Sequence, residues 1–144
     1  MIDFSSPATQ HEALAAFFKA YQAFTARPDD MLARRGLSRV HHRILFFIAR
    51  SPELSVSELL ARLKVSKQAL NVPLRQLVQM RLVDSRTDAD DKRKRLLVLT
   101  ADGLKLEAAL RKEQIRLLRQ CFEQLDDSAV AGWLEVNLAL ARHW

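Results

Sequence analysis

The segment that most constrains the fold is a run of charged residues between two short β-capable runs. The β-capable runs are residues 82–86 and 95–99, and residues 87–94 between them carry six charged side chains in eight positions. This arrangement predicts a two-stranded hairpin with a long charged tip. The rest of the chain has helical apolar periodicity and the 144 residues include only 3 Gly and 4 Pro, so we expect a mainly α fold with one hairpin.

The first predicted helix carries an aromatic-rich stripe. It begins at Ser6-Pro7, where a capping hydroxyl precedes a proline, and it is expected to end near Ala26 because Pro28 follows. Apolar side chains recur along it at spacings of three and four, and this stripe needs a partner surface. The stripe consists of Leu14, Phe17, Phe18, Tyr21 and Phe24.

Three further helices are predicted before the hairpin, at residues 39–50, 56–63 and 66–81. The second of them opens on Ser55 and Glu58, which have the spacing of a capping box. A tight turn joins it to the third, and two short helices joined in this way form the helix-turn-helix pattern. Many all-helical domains contain such a pair without binding nucleic acid.

Two helices are predicted after the hairpin. Thr100 caps a long helix, and residues 126–128 separate it from a last helix that runs towards Trp144. The apolar side chains of the long helix spread too widely for one stripe, so it should touch neighbours on several sides. We find no repeat, low-complexity tract or linker, and we expect residues 1–144 to form one domain.

The order of these elements resembles the winged helix-turn-helix of the MarR (multiple antibiotic resistance regulator) family. The family pattern has a leucine-valine strand, an arginine, a wing of the form Asp-x-x-Asp-x-Arg and a Leu-Thr-x-x-Gly helix start. Each element has its counterpart here, and the close match covers about fifty residues. The residues that carry it are Ser57-Glu58-Leu59-Leu60, Val65-Ser66, Leu77, Leu82-Val83, Arg86, Asp88, Asp91, Arg93 and Leu99-Thr100-Ala101-Asp102-Gly103.

The resemblance implies a division of labour along the chain. Residues 38–99 would form the winged-helix DNA-binding lobe, and residues 6–26 and 100–144 would be dimerisation helices. It also implies a cytoplasmic homodimer that controls transcription, usually by repression that a small ligand or oxidation releases.

The charge distribution is consistent with a polyanionic partner. Residues 34–95 contain 15 Lys and Arg against 6 Asp and Glu, a local charge of +9, whereas the remaining residues sum to −3. A segment with this excess repels itself in the folded state, and nucleic acid is the commonest partner that relieves the repulsion. A well-solvated surface is the alternative that charge alone leaves open.

The third of these helices separates a core face from a polar face. At 100° per residue, its apolar side chains fall on one side and its polar ones on the other. Gln and Asn can bond adenine, Arg can bond guanine or phosphate, and Val can touch a thymine methyl, which favours a major groove. Pro73 is expected to kink or open the helix, which affects the register of Arg75 and Gln79. The expected DNA contacts are Ser66, Lys67, Gln68, Asn71, Val72 and Arg75.

The charged tip of the hairpin is the second expected DNA contact. Arg93 would enter a narrow minor groove while a salt bridge to Asp91 orients its guanidinium group. Lys94 can neutralise a phosphate, and Arg86 joins the site as part of the family pattern. An exposed charged turn with no partner is the alternative.

Other chemistry has little support. Cys121 is expected to pack as an inert thiol among apolar residues, and the adjacent His41 and His42 point about 100° apart on a helix, so we expect no metal site. No nucleophile-base pair, glycine-rich phosphate loop or paired carboxylate is present, so we expect neither an enzyme nor a bound cofactor. The longest stretch without charge is residues 4–11, too short to span a membrane, and the single cysteine fits a reducing cytoplasm.

The sequence therefore predicts a transcriptional regulator that binds double-stranded DNA. The alternative is a winged-helix module that binds a protein through the same basic face. A small-molecule effector would bind between the dimerisation helices and the DNA-binding lobe, beside Tyr21 and Phe46. The homodimer is expected because more large apolar side chains are present than so small a core can bury. They are Phe17, Phe18, Tyr21, Ile115, Phe122, Trp133 and Trp144.

Overall fold

The structure, a computed structural model, describes all 144 residues as six helices and three short strands. The fold is mainly α with a small antiparallel sheet, as the sequence predicts. In chain order the elements are α1 (Pro7–Ala33), α2 (Arg39–Arg50), β1 (Leu54–Ser55), α3 (Val56–Leu63), α4 (Lys67–Gln79), β2 (Val83–Thr87), β3 (Arg95–Leu99), α5 (Ala101–Phe122) and α6 (Asp127–Ala141).

The predicted end of α1 is wrong. The helix continues through Pro28 to Ala33, seven residues past the expected end at Ala26. Proline removes one backbone donor and strains the preceding turn. Burial offsets this cost, because Pro28 and Leu32 both lie in the interior and Leu32 is completely buried.

The main core lies between α2, α3, α4 and the sheet. Each of these helices contributes side chains that are almost fully buried, and they meet the buried face of the strands. Helix α4 ends at Gln79, slightly before the expected Arg81, which has a left-handed backbone with φ of 58°. The buried residues between 38 and 99 are Ile44, Leu45, Ile48, Leu54, Leu59, Leu70, Leu77, Leu82, Val83 and Leu97, with His41 and Ser55 among the polar ones.

The sheet contains one strand more than the predicted hairpin. Its order is β1-β3-β2 with all pairs antiparallel, and Leu97 of β3 lies opposite Leu54 on one side and Ser85 on the other. The strand β1 is only two residues long, which is too short to show a period-two pattern. Its pairing ties the start of α3 to the base of the wing.

A close backbone contact joins the wing to α5. The Thr100 backbone N–H donates to the Leu82 carbonyl at 3.1 Å, and the Thr100 hydroxyl donates to the Arg81 carbonyl at 2.6 Å. A Cβ atom at Gly103 would collide with the same Leu82 carbonyl. The glycine of the Leu-Thr-x-x-Gly pattern is therefore needed so that the first turn of α5 can lie against the end of α4.

Helices α1, α5 and α6 leave much apolar surface uncovered. No residue of α6 is buried, although this helix carries large apolar side chains on most of its circumference. None of the helices has both the length and the apolar character needed to cross a membrane. The exposed apolar residues of these helices are Leu14, Phe17, Phe18, Tyr21, Leu104, Ile115, Trp133, Leu134, Val136, Leu138 and Leu140.

Candidate nucleic-acid interface

The turn before α4 is fixed by caps on both sides. The Ser55 hydroxyl accepts from the Glu58 N–H at 3.1 Å, and the Ser55 N–H donates to the Glu58 carboxylate at 3.3 Å, which confirms the predicted capping box. These bonds, and then the charges of Lys94 and Arg62, hold the pKa of Glu58 below its usual value. Lys64 adopts a left-handed backbone with φ of 50° and ends α3.

Helix α4 presents the polar face that its periodicity predicts. Leu70, Pro73 and Leu77 are buried against the core. The opposite side faces solvent, and even the apolar Val72 is 51% exposed. The exposed side therefore offers amide, guanidinium and methyl groups together on one surface. The exposed residues are Lys67, Gln68, Asn71, Val72 and Arg75.

The opening of α4 expected at Pro73 is not seen. The helix is continuous from Lys67 to Gln79, although Pro73 cannot donate to the Ala69 carbonyl. The proline ring is buried in the core face, so burial again offsets the missing hydrogen bond. Residues before and after Pro73 consequently share one helical register.

The start of α4 carries both a cap and a positive charge. The Ser66 hydroxyl accepts from the Ala69 N–H at 3.1 Å, which leaves its own proton free to donate outwards. Lys67 is exposed beside it. Unpaired N–H groups and the helix dipole make this end favourable for an anion.

The tip of the wing is a closed loop that presents Arg93. The Asp88 N–H donates to the Lys94 carbonyl at 2.9 Å, and the Lys94 N–H donates to the Asp91 carbonyl at 3.0 Å. The Asp91 carboxylate accepts from the Arg93 N–H at 3.0 Å and contacts its Nε at 3.4 Å, which confirms the predicted ion pair. The Arg93 side chain is 93% exposed, so it projects from the loop.

The remaining wing residues lie nearer its base. Arg86 on β2 is exposed and contacts the Asp84 carboxylate at 3.5 Å. Lys94 lies near enough to α3 for its charge to lower the pKa of Glu58. Together with Arg93 they place positive charge along the whole length of the wing.

A buried histidine joins α2 to α4, and the sequence analysis missed it. His41 is 5% exposed. Its Nδ1 accepts from the Ser38 N–H at 2.9 Å, and its Nε2 lies 2.8 Å from Oε1 of Gln76. His41 stands at the third position of α2, where a capping-box side chain bonds back to the N-cap, and this spacing from Ser38 could have identified it.

Two comparisons by sequence decide the family. Residues 35–94 match a model described as MarR family. The chain is also 40% identical over 136 residues to the HTH-type transcriptional regulator PetP of Rhodobacter capsulatus, covering 91% of this chain and 82% of that protein. The chain belongs to the MarR family of winged-helix transcriptional regulators.

Solved structures of other MarR-family proteins share the fold. A crystal structure of a MarR family transcription regulator superposes with a TM-score of 0.80 at 22% identity, covering 94% of this chain and 90% of that one. S. aureus MepR bound to an oligodeoxyribonucleotide superposes with a TM-score of 0.66 at 18% identity, covering 91% and 96%. The helices outside the region that the family model matches therefore also have counterparts.

A crevice of about 600 Å³ separates α1 from α2 and the end of α3 in this MarR-family chain. Both residues expected beside an effector, Tyr21 and Phe46, line it. Its walls combine aromatic rings with three arginines, of which Arg39 is paired with Asp29 at 2.8 Å. The other lining arginines are Arg43 and Arg62, which donate to the Tyr21 and Ser51 hydroxyls at 3.2 and 2.7 Å.

The structure changes one expectation about Cys121 and bears on metal sites. The Cys121 thiol is exposed on α5 rather than packed among apolar residues, because the neighbouring α6 does not cover that side of the helix. No three His, Cys, Asp or Glu side chains are grouped so that they could hold a metal ion. His41 and His42 face different parts of the fold, since His41 contacts α4 and His42 lines the crevice.

Proposed function

We propose that this chain is a sequence-specific DNA-binding repressor that acts as a homodimer on a near-palindromic operator. The observation that carries the proposal is the solvent-facing polar side of α4, which projects from the buried core beside a basic wing. A protein-docking face is enriched in aromatic residues and depleted in lysine. This face has the reverse composition, with Val72 as its one exposed apolar residue.

Base readout is assigned to the middle of α4. Gln68 and Asn71 are exposed and carry the paired donor and acceptor that match the edge of adenine. Arg75 is suited to guanine or phosphate, and Val72 to a thymine methyl. Ser66 and Lys67 would bind phosphate at the helix N-terminus.

The wing supplies contacts that depend on charge and groove shape. Arg93 is the most exposed of its charged groups and would enter the minor groove, oriented by Asp91. Arg86 and Lys94 would neutralise phosphates closer to the sheet. The resemblance in fold to S. aureus MepR, which was solved with an oligodeoxyribonucleotide, supports this orientation of α4 and the wing.

Dimerisation is supported by the surface of α6. A helix that is apolar on most sides is stable only when it is covered, and none of the residues of α6 is buried within one chain. A second copy would cover α6 together with the exposed stripe of α1. A two-fold dimer places two α4 helices on two half-sites.

Selection of duplexes from a randomised pool tests the proposal. The enriched sites should contain two inverted half-sites about 10–10.5 base pairs apart, centre to centre, and binding should weaken as salt rises. Deletion of the gene should raise transcription next to genomic copies of the site. If no duplex is enriched and salt has no effect on DNA binding, the basic face serves a protein partner instead.

A second part of the proposal concerns a small-molecule effector in the crevice. Arg43 and Arg62 there have hydroxyl partners but no carboxylate partner, and Tyr21 and Phe46 provide aromatic surface. This combination favours a small aromatic anion. Because the crevice separates α1 from the DNA-binding lobe, an occupant would change the spacing of the two α4 helices in a dimer.

A matched set of ligands tests the effector site. Small aromatic acids should raise the melting temperature more than their uncharged amides, and Arg43→Ala should abolish that difference. An effector must also bind free and DNA-bound protein with different affinity. An acid that binds the crevice and leaves DNA affinity unchanged is not an effector.

A further inference from the structure

One side-chain hydrogen bond joins α4 to another element of the fold. His41 is buried in α2, and its ring lies between the α2 cap and Gln76 on α4. All other tertiary contacts of α4 are apolar, through Leu70, Pro73 and Leu77. Apolar packing sets the distance between two helices well, but it has no direction and resists a small rotation weakly.

The chemistry of the imidazole fixes the direction of this bond. Nδ1 accepts the Ser38 N–H at 2.9 Å, and a neutral ring has one protonated nitrogen. The proton therefore lies on Nε2, which donates to Oε1 of Gln76 at 2.8 Å. The amide NH2 of Gln76 then points away from His41, on the exposed side of α4.

The position of Gln76 makes this bond relevant to DNA readout. It is one residue after Arg75 and five after Asn71 on one rigid helix, so a rotation that moves Gln76 also moves both. A rotation of about 10° displaces a side-chain tip about 6 Å from the helix axis by roughly 1 Å. A displacement of that size breaks a hydrogen bond to a base edge.

We propose that His41 is a positioning residue for base readout, which sets the rotation of α4 through its hydrogen bond to Gln76. This inference rests on the proposed function, because it assumes that α4 reads DNA. His41 itself touches no DNA in this arrangement. It acts through Gln76, and its removal should affect discrimination between bases more than general attraction to duplex.

Two variants of Gln76 separate positioning from charge and from folding. Gln76→Leu keeps a helix-forming side chain but removes the acceptor, whereas Gln76→Glu keeps an acceptor oxygen and adds a negative charge. The readout is the ratio of dissociation constants for the duplex that wild type selects from a random pool and for the same duplex with one base pair changed. Circular dichroism and thermal melting confirm that each variant is folded.

The expected results differ between the two variants. Gln76→Leu should lower the ratio at least about fivefold, since one base contact is worth about 1–3 kcal/mol. Gln76→Glu should weaken binding to both duplexes equally and keep the ratio within about twofold of wild type. His41→Gln should reduce the ratio in wild type but have no further effect in the Gln76→Leu background.

The outcomes distinguish this inference from the proposed function. If Gln76→Leu keeps the wild-type ratio, or if Gln76→Glu loses it as fully as Gln76→Leu does, His41 does not position α4 for readout. Either result leaves the proposed function standing. If wild type selects no duplex at all, the proposed function fails and this inference fails with it.

Discussion

The DNA-binding lobe and the outer helices of this chain differ in how completely they bury their apolar side chains. Ten of the fourteen buried apolar residues lie between residues 38 and 99, because only Leu32, Leu37, Leu106 and Leu110 lie outside that range. Helix α6 has no buried residue, and α1 exposes Leu14. The lobe completes its core within one chain, whereas α1, α5 and α6 leave theirs open.

This difference shows that the two regions depend on different interactions. Substitutions in the lobe should act on the stability of one chain or on DNA contacts, because its packing is internal. Substitutions on the exposed face of the outer helices should act on association, because that face has no partner within the chain. Five sets of variants can break or sharpen this distinction.

The largest effect is expected from Leu138→Glu on α6, which is 55% exposed in the single chain. A charge buried in the dimer interface without a partner should dissociate the dimer. Loss of the second half-site should weaken operator binding about a hundredfold or more. Light scattering measures the mass, and fluorescence anisotropy measures the affinity.

The control for this variant is Gln124→Glu, which adds the same charge in the exposed turn between α5 and α6. It should leave both the mass and the affinity unchanged. If Leu138→Glu stays dimeric, α6 does not contribute to the interface, and the contrast between the two regions needs another explanation.

A pair of glycine substitutions compares the packing of the two regions directly. Gly103→Ala would force a methyl group against the Leu82 carbonyl and should lower the free energy of unfolding by about 1–3 kcal/mol. Gly132→Ala on α6 meets no atom within 4 Å and should raise the free energy of unfolding by about 0.5–1 kcal/mol. Urea denaturation measures both. A destabilised Gly132→Ala dimer would show that the partner chain covers this side of α6.

Within the lobe, Asn71→Ala should change sequence discrimination without changing the oligomeric state. The variant should bind the preferred site more weakly by about 1–3 kcal/mol, with the effect confined to one base pair. The dependence on salt should hardly change, since asparagine carries no charge and releases no counterion. Competition binding with single-base variants of the site measures the effect. Unchanged discrimination, together with a reduction in Gln79→Ala, would place the base contacts one turn or more further along α4.

Arg93→Ala in the wing should produce the opposite pattern. Affinity should fall for most sequences, and the log-log slope of affinity against salt should become shallower by about 0.9 for each phosphate that the variant no longer neutralises. Sequence preference should be retained. Titrations at several salt concentrations measure the slope, with Lys92→Ala at the same tip as a comparison. An unchanged slope would mean that the wing tip does not bind the DNA backbone.

The smallest effect is expected where the two regions meet, at the half-buried His42 in the crevice. Burial lowers the pKa of His42 below its ordinary value of 6.5, against the opposing charges of Glu107 and Asp29 and together with that of Arg43. Below about pH 6.5 the unfolded chain binds a proton at this residue more readily than the folded chain, so this contribution to stability is lost as pH falls.

The measurement for His42 is unfolding by urea at pH 7 and pH 5. The free energy of unfolding should fall further in wild type than in His42→Gln, by less than about 1 kcal/mol because the ring is only half-buried. An equal fall in both proteins would show that His42 does not contribute to the acid sensitivity of the junction.

Local chemistry let the sequence predict most of the DNA-binding lobe. The caps at Ser55, Ser66 and Thr100 depend on bonds between residues three apart, and all three are present. The two faces of α4 follow from helical periodicity alone. The ion pair between Asp91 and Arg93 is likewise a contact between near neighbours.

Tertiary packing decided the features that the sequence analysis missed. Pro28 and Pro73 both stand inside continuous helices, because burial of each ring in the core offsets the hydrogen bond that proline removes. The strand β1 exists because β3 offers it a partner more than forty residues away. The bond from His41 to Gln76 spans 35 residues, so no local pattern contains it, and only the packing of α2 against α4 brings its two atoms within 2.8 Å.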